Sequence, residues 1–143
     1  MTGALRTPPI DEAASVVSTC PAVRERMVAL QRAMAQDGGV VMDGRDIGTV
    51  VFPDAELKFF LDAELNVRAA RRLRDLERAG AVAEAHAIRE DVARRDARDR
   101  ARDVAPLRPA ADAIRIDSTA RDAETVVGLM LAEVAKRLQQ DKS

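Results

Sequence analysis

The stretch VVMDGRDIGTVVFPDA, residues 40–55, decides the fold. Its apolar run Val40–Met42 is short and continuous, which is typical of a buried strand in a parallel sheet. The run ends at Asp43-Gly44, so the loop that follows would present Arg45 and Asp46 at the carboxyl edge of the sheet. Open α/β sheets bind their ligands at this edge. Because Asp-Gly is also a very common turn dipeptide, an ordinary strand-to-loop turn remains an equal alternative.

The rest of the chain extends this pattern on both sides. Two further apolar runs, Leu57–Leu61 and Ala113–Ile116, predict the second and third strands. Capping residues and periodic apolar positions predict helices over residues 11–18, 22–35, 82–102 and 122–138, and one more helix that begins at Asp62 or Glu64 and ends at about Ala79. Strands that alternate with helices predict an α/β fold, with three parallel strands, flanking helices and a charged helical segment.

Three arginines lie together on the helix that follows Leu57–Leu61. Arg68, Arg71 and Arg72 have the spacing i, i+3, i+4 and therefore share one helical face. Adjacent guanidinium groups repel one another unless an anion or acidic side chains lie among them, and phosphate would satisfy them. A solvated face paired with Asp75 and Glu77 explains the pattern equally well.

The run Arg94–Asp103 interleaves arginines with aspartates. Within it, Arg95, Asp99 and Arg102 fall on one stripe of a helix. One interpretation is an exposed helix with i,i+4 ion pairs, each of which contributes a few tenths of a kcal/mol. The other is a mobile lid whose arginines close over phosphates during phosphoryl transfer. Composition does not decide between them.

Composition excludes several classes of function. The 143 residues fit one ordinary domain, and the net charge of −1 disfavours a general nucleic-acid or membrane-surface binder. Cys20 is the single cysteine and His86 the single histidine, so an intrachain disulfide and a zinc site of Cys/His type are both excluded. Without a signal peptide or a long apolar run in this sequence, the expected location is the cytoplasm.

The segments GRDIGTVVFPDA, RRDARDRARDVAPLRPAADA and IDST, in this order, resemble the bacterial cytidylate kinases. The upstream stretch DEAASVVSTCPAVRERMVALQR resembles the part of these enzymes that binds the nucleoside monophosphate. The resemblance implies a partial P-loop nucleoside monophosphate kinase fold. It also implies transfer of the γ-phosphate of ATP to CMP or dCMP, with Mg²⁺ accompanying ATP.

The resemblance also assigns roles to individual residues. Ser15 and Arg24 would contact CMP, and Asp46 would hydrogen-bond its sugar or base beside Arg45. Asp43, at the end of the predicted strand Val40–Met42, occupies the position where P-loop proteins place a carboxylate for magnesium or its waters. Later substrate contacts near the sugar and phosphate would come from Arg95, Asp99 and Arg102. The phosphates would be faced by Arg68, Arg71 and Arg72, which would neutralise charge that develops during transfer.

The resemblance divides the chain into residues 1–38, a remainder of the monophosphate-binding region, and residues 39–143, the core with a charged lid at about 82–108. No glycine is followed by lysine, so the P-loop that cradles ATP phosphates in the family is absent from this sequence. We therefore expect an N-terminally truncated kinase that is inactive alone and lacks a strand between Val40–Met42 and Leu57–Leu61. The alternatives are a non-catalytic CMP-binding chain or half of a split kinase; an RNA-binding helical protein is disfavoured by the charge and by the absence of Trp and Tyr.

Overall fold

The computed structural model describes residues 8–102 and 105–140. Five helices, two strands and one short π-helical turn follow one another in these ranges. Their bounds are α1 Pro8–Val17, α2 Pro21–Met34, the π turn Ile47–Val51, β1 Phe59–Asp62, α3 Leu65–Arg78, α4 Ala85–Arg100, β2 Ile114–Asp117 and α5 Ala123–Gln140. No helix in the described ranges is both long and apolar enough to cross a bilayer. The predicted α/β class is confirmed.

The chain forms two compact units. Unit 1 comprises Met1–Pro53 and Arg95–Arg108, and unit 2 comprises Asp54–Arg94 and Pro109–Ser143. Helix α4 begins in unit 2 and ends in unit 1. The resemblance divides the chain at residue 38 into functional regions, not into compact units, and that division stays a prediction.

Unit 2 is built on a parallel pair of strands. β1 and β2 run in register from Phe59 opposite Ile114 to Asp62 opposite Asp117. The pairing continues one residue further at the carboxyl end, where the Ser118 amide donates to the Asp62 carbonyl at 2.8 Å. The small core of this unit consists of Ala63, Ala69, Leu76, Ile116 and Val126. Both strands begin one or two residues later than the apolar runs predict.

The predicted first strand, Val40–Met42, is not formed. Its residues have no regular secondary structure, and the sheet of the described residues contains β1 and β2 only. A strand is held by hydrogen bonds to a neighbouring strand, and neither described strand pairs with this run. Val41 is 98% exposed as a result. The prediction of three parallel strands is therefore corrected to two.

The helix ends follow local chemistry. Pro21 occupies the first turn of α2, where its missing N–H is harmless, and Cys20 precedes it with extended backbone and no side-chain capping bond. Asp122 caps α5, because its Oδ1 accepts a 2.8 Å bond from the Thr125 amide. Helix α3 is followed by Gly80 in the left-handed region, with φ of 78°.

Candidate functional site

Unit 1 gathers polar and charged side chains from four segments. We call them the arginine–aspartate cluster: Ser18, Arg24, Arg45, Asp46, Asp99 and Arg102. They come from the turn after α1, the first turns of α2, the loop before the π turn, and the end of α4 with the two residues beyond it. Five of the six were predicted as substrate-binding residues, and unit 1 brings these five together.

The first pair of the cluster joins α2 to the loop before the π turn. Arg24 Nη2 donates to Asp46 Oδ2, and the two side chains are only 11% and 15% exposed. Arg24 Nη1 also donates to the Ser18 carbonyl at 3.4 Å. Asp46 immediately precedes the π turn, so this ion pair fixes the start of that turn against α2.

The second group is centred on Asp99, whose side chain is 3% exposed. Its Oδ1 lies 2.5 Å from Arg102 Nη2, and its Oδ2 lies 3.5 Å from Arg45 Nε. Arg102 Nη2 also donates to Ser18 Oγ at 3.1 Å. A buried carboxylate is stable only when it is paired and hydrogen-bonded, and here two guanidinium groups serve that purpose.

The guanidinium groups of this region retain donors for a ligand. The Nε atoms of Arg95 and Arg102 are buried without a hydrogen-bond partner among the described residues. The Arg45 side chain is 45% exposed, and its contact to Asp99 is long. Buried donors are normally satisfied, and planar guanidinium groups bind phosphate through paired hydrogen bonds. The cluster can therefore hold a small phosphorylated molecule, while Asp46 and Asp99 can accept bonds from amino or hydroxyl groups.

Two other predicted residues, Asp43 and Ser15, add less to the description of the site. Asp43 is exposed in the loop before Arg45. Ser15 belongs to α1 by its backbone, but its side chain lies outside the described part of the structure. Within the described ranges, no three His, Cys, Asp or Glu side chains come close enough to hold a metal ion.

The three arginines of α3 belong to unit 2. Arg71 makes hydrogen bonds to the loop after β2: Nη1 donates to Ser118 Oγ at 3.0 Å, and Nη2 donates to the carbonyls of Ser118 at 2.5 Å and Arg121 at 3.0 Å. Arg68 Nε donates to the Ala63 carbonyl at 2.8 Å. Arg72 is half-buried and also has a partner. The role of these three arginines at phosphates stays a prediction, since the Arg71 guanidinium already donates hydrogen bonds to oxygens of the protein.

Sequence reasoning missed two polar contacts. Ser18 accepts hydrogen bonds from both Arg24 and Arg102. The sequence pattern could have indicated this residue, because it is a small polar residue just after an apolar helix stripe. Lys58, with a side chain 7% exposed, donates to Asp112 Oδ2 at 2.6 Å. This side-chain hydrogen bond from Lys58 lowers the pKa of the Asp112 carboxyl. No spacing in the sequence announces a pair so far apart along the chain.

Comparison with known proteins gives the family. The model of the cytidylate kinase family matches residues 1–136. The cytidylate kinase of Pelotomaculum thermopropionicum is 48% identical over 135 residues, which is 94% of this chain and 60% of that protein. That of Granulibacter bethesdensis is 51% identical over 120 residues, 84% of this chain and 57% of the relative. The chain thus spans about three fifths of the length of the curated relatives it matches. It belongs to the cytidylate kinase family.

Proposed function

We propose that the arginine–aspartate cluster binds CMP or dCMP, and that the family reaction is transfer of the γ-phosphate of ATP to this monophosphate. The observation that carries the proposal is the buried Nε of Arg102, which has no partner in the described ranges although it lies beside the buried Asp99. A monophosphate with two negative charges supplies the acceptor that this group lacks. Membership of the family supplies the nucleotide.

The Arg24–Asp46 pair and the group around Asp99 would bind different parts of the monophosphate. We propose that its phosphate takes donors from Arg45, Arg95 and Arg102, because each has an exposed guanidinium or an unpartnered Nε among the described residues. Asp99 would then accept a bond from the sugar. Arg24 and Asp46, together with Ser15, would contact the cytosine or the sugar, since an amino group needs an acceptor and a carbonyl needs a donor.

Phosphoryl transfer asks the protein for positioning and positive charge rather than for a covalent nucleophile. We propose that Arg68, Arg71 and Arg72 contribute that charge near the transferring phosphate. Magnesium would arrive with ATP as part of the substrate. This ion retains several waters and uses one or two carboxylates plus phosphates, so the exposed Asp43 suits a contact to a magnesium-bound water.

We further propose that this polypeptide alone has little or no kinase activity. None of its seven glycines precedes a lysine, so the residues that would cradle the β- and γ-phosphates of ATP have no counterpart in the sequence. A separate segment that carries a P-loop and completes the sheet would supply them. The expected assay result, with purified chain, ATP, magnesium and CMP, is turnover at background level. Turnover in the range typical of kinases, about 1–100 s⁻¹, would refute this part.

The alternative is a chain that binds CMP without catalysis, or half of a split kinase. Both share the binding site, so the kinase assay separates them from an active enzyme. Addition of a separately produced P-loop segment separates the two alternatives, because only a split kinase gains activity from it. In each case the substrates are those of the cell interior, and we propose a cytoplasmic location.

Calorimetric titration with CMP tests the binding proposal. Arg102→Gln should weaken CMP binding by about ten- to a hundredfold, because a hydrogen bond to a charged group contributes about 1.5–3 kcal/mol. Arg100→Gln is the matched control: Arg100 is exposed and lies on α4, and its side chain makes no hydrogen bond or ion pair in the described ranges, so its loss should change the Kd less than about twofold. UMP and AMP should bind more weakly than CMP. Absence of CMP binding by the unsubstituted chain would refute the proposal.

A further inference from the structure

The π turn Ile47–Val51 is fastened to α2 at both of its ends. At its start, the Asp46 carboxylate pairs with Arg24. At its end, Arg32 donates from Nε to the Val51 carbonyl at 2.9 Å and from Nη2 to the Val50 carbonyl at 2.7 Å. Arg24 and Arg32 lie about two helical turns apart, so α2 spans the π turn along its length.

The carbonyls that Arg32 binds would otherwise lack intrahelical donors. The last carbonyls of any helical segment have no N–H beyond them, and arginine side chains can satisfy them. The positive guanidinium also lies at the end of the turn where the backbone dipoles leave negative charge. Arg32 is therefore a side-chain cap for the carboxyl end of the π turn.

The start of the same turn depends on Asp46. Its carbonyl accepts bonds from the amides of Val50 at 2.9 Å and Val51 at 3.3 Å, while the Phe52 amide donates to the Ile47 carbonyl at 2.7 Å. Val51 is also the most deeply buried large side chain of the described residues, at 2% exposure. Val50 and Val51 thus connect the two ends of the turn. Their carbonyls accept hydrogen bonds from Arg32, and their amides donate to the Asp46 carbonyl.

We propose that Arg32 is a positioning residue for Asp46: by capping the end of the π turn, it keeps the turn wound and so keeps the Asp46 carboxylate in place within the arginine–aspartate cluster. Wide π-type turns are rare, and they occur frequently at functional sites, where an unusual backbone geometry directs a side chain. The expected effect of Arg32 on CMP affinity rests on the proposed function, whereas its expected effect on the winding of the π turn does not.

The first test needs no ligand. Hydrogen exchange of residues 46–52, measured by mass spectrometry on the full chain, should be at least about tenfold faster in Arg32→Gln than in the unsubstituted chain, since two charge-assisted bonds are lost. Arg32→Lys, with a single ammonium in place of the fork, should give an intermediate rate. Arg26→Gln is the control, because Arg26 is exposed on the same helix and its side chain makes no hydrogen bond or ion pair among the described residues. Exchange in α3, a helix of unit 2, checks that each variant is folded.

The second test is a double-substitution cycle on CMP affinity. If Arg32 acts through Asp46, then Arg32→Gln weakens CMP binding about tenfold in the unsubstituted chain but less than about twofold when Asp46→Asn is already present. Equal weakening in both backgrounds overturns the inference, since it assigns Arg32 a general structural role.

The two tests keep this inference separate from the proposed function. If the unsubstituted chain binds no CMP, the proposed function fails and the exchange measurement alone decides on Arg32. Unchanged exchange of residues 46–52 in Arg32→Gln, with a folded α3, overturns the inference whatever the affinity for CMP. Faster exchange confined to these residues supports it.

Discussion

Replacement of Asp99 by asparagine removes the negative charge from the centre of the arginine–aspartate cluster. The Asp99 side chain is 3% exposed and lies between Arg102 and Arg45. After the substitution, Arg102, with a side chain only 10% exposed, would keep one hydrogen bond to Ser18 Oγ, and its Nε would still lack a partner in the described ranges. The chain would then carry a buried cation without a counterion.

The expected loss of stability follows from the two contacts. Breaking a buried ion pair by removal of one partner costs about 3–5 kcal/mol. The contact to Arg45 adds little, because that side chain is 45% exposed and the distance is 3.5 Å. Since the introduced amide could still accept one bond and Arg102 keeps Ser18, we expect the lower limit, about 3 kcal/mol. Against a total stability of about 5–15 kcal/mol for a typical domain, this is a large fraction.

Urea denaturation followed by far-UV circular dichroism measures the effect, because a chain without Trp or Tyr gives no useful intrinsic fluorescence. With a slope of about 2 kcal/mol per molar urea, the midpoint should fall by about 1.5 M while the slope stays constant. Asp91→Asn is the control: the same change on α4, at an exposed pair with Arg94 separated by 2.7 Å, should cost less than about 0.5 kcal/mol.

A second substitution makes the test specific to the buried charge. Arg102→Gln added to Asp99→Asn should recover at least about 1 kcal/mol, because it removes the unpaired cation. If Asp99→Asn lowers the midpoint no more than Asp91→Asn does, or if the added Arg102→Gln destabilises further, the account of Asp99 as a buried counterion is refuted.

Three more predictions concern single positions. Gly80→Ala should lower the stability of the chain by about 1 kcal/mol in the same urea experiment, because Gly80 has φ of 78° where alanine is strained, although open space surrounds the missing Cβ; an unchanged midpoint contradicts this. Gly44→Ala should speed hydrogen exchange at the π turn, since the new Cβ would lie 2.8 Å from Ile47 Cγ1; exchange as slow as in the unsubstituted chain contradicts it. Hydrogen bonds from Thr125 lower the pKa of the Asp122 carboxyl, so its capping contribution to α5 is complete above the ordinary aspartate pKa of about 4 and is lost as the pH falls through the lowered value. Asp122→Asn should keep the cap and abolish this acid dependence of exchange at the start of α5; an unaltered pH profile contradicts it.

The elements that sequence alone predicted correctly are those whose signals are local. Pro21 and the capping Asp122 set the starts of α2 and α5, and Gly80 set the end of α3, because each acts on its own backbone. Val40–Met42 has an equally clear apolar pattern, but a strand also needs a neighbour, and pattern carries no information about one. The π turn was expected only as a loop, since its last carbonyls are held by Arg32, which lies 18 and 19 residues earlier in the chain.

The candidate site shows the same limit. The stripe of Arg95, Asp99 and Arg102 was visible in the sequence, but its two interpretations were equal. The structure pairs Asp99 with Arg102 at the spacing i,i+3 instead of the i,i+4 spacing of the first interpretation, and it buries that pair instead of exposing it. Burial arises from segments far along the chain, including the residue Ser18. The lid interpretation stays a prediction, as do the roles of Ser15 and the α3 arginines.

The turn between α1 and α2 offers a practical consequence. Cys20 is the only thiol in the chain, it is exposed, and its side chain caps nothing. It lies two residues from Ser18, which accepts bonds from Arg24 and Arg102. A single environment-sensitive dye on Cys20 would therefore sit beside the cluster with no competing label. Its emission would report occupancy of the cluster in a protein that has almost no optical signal of its own.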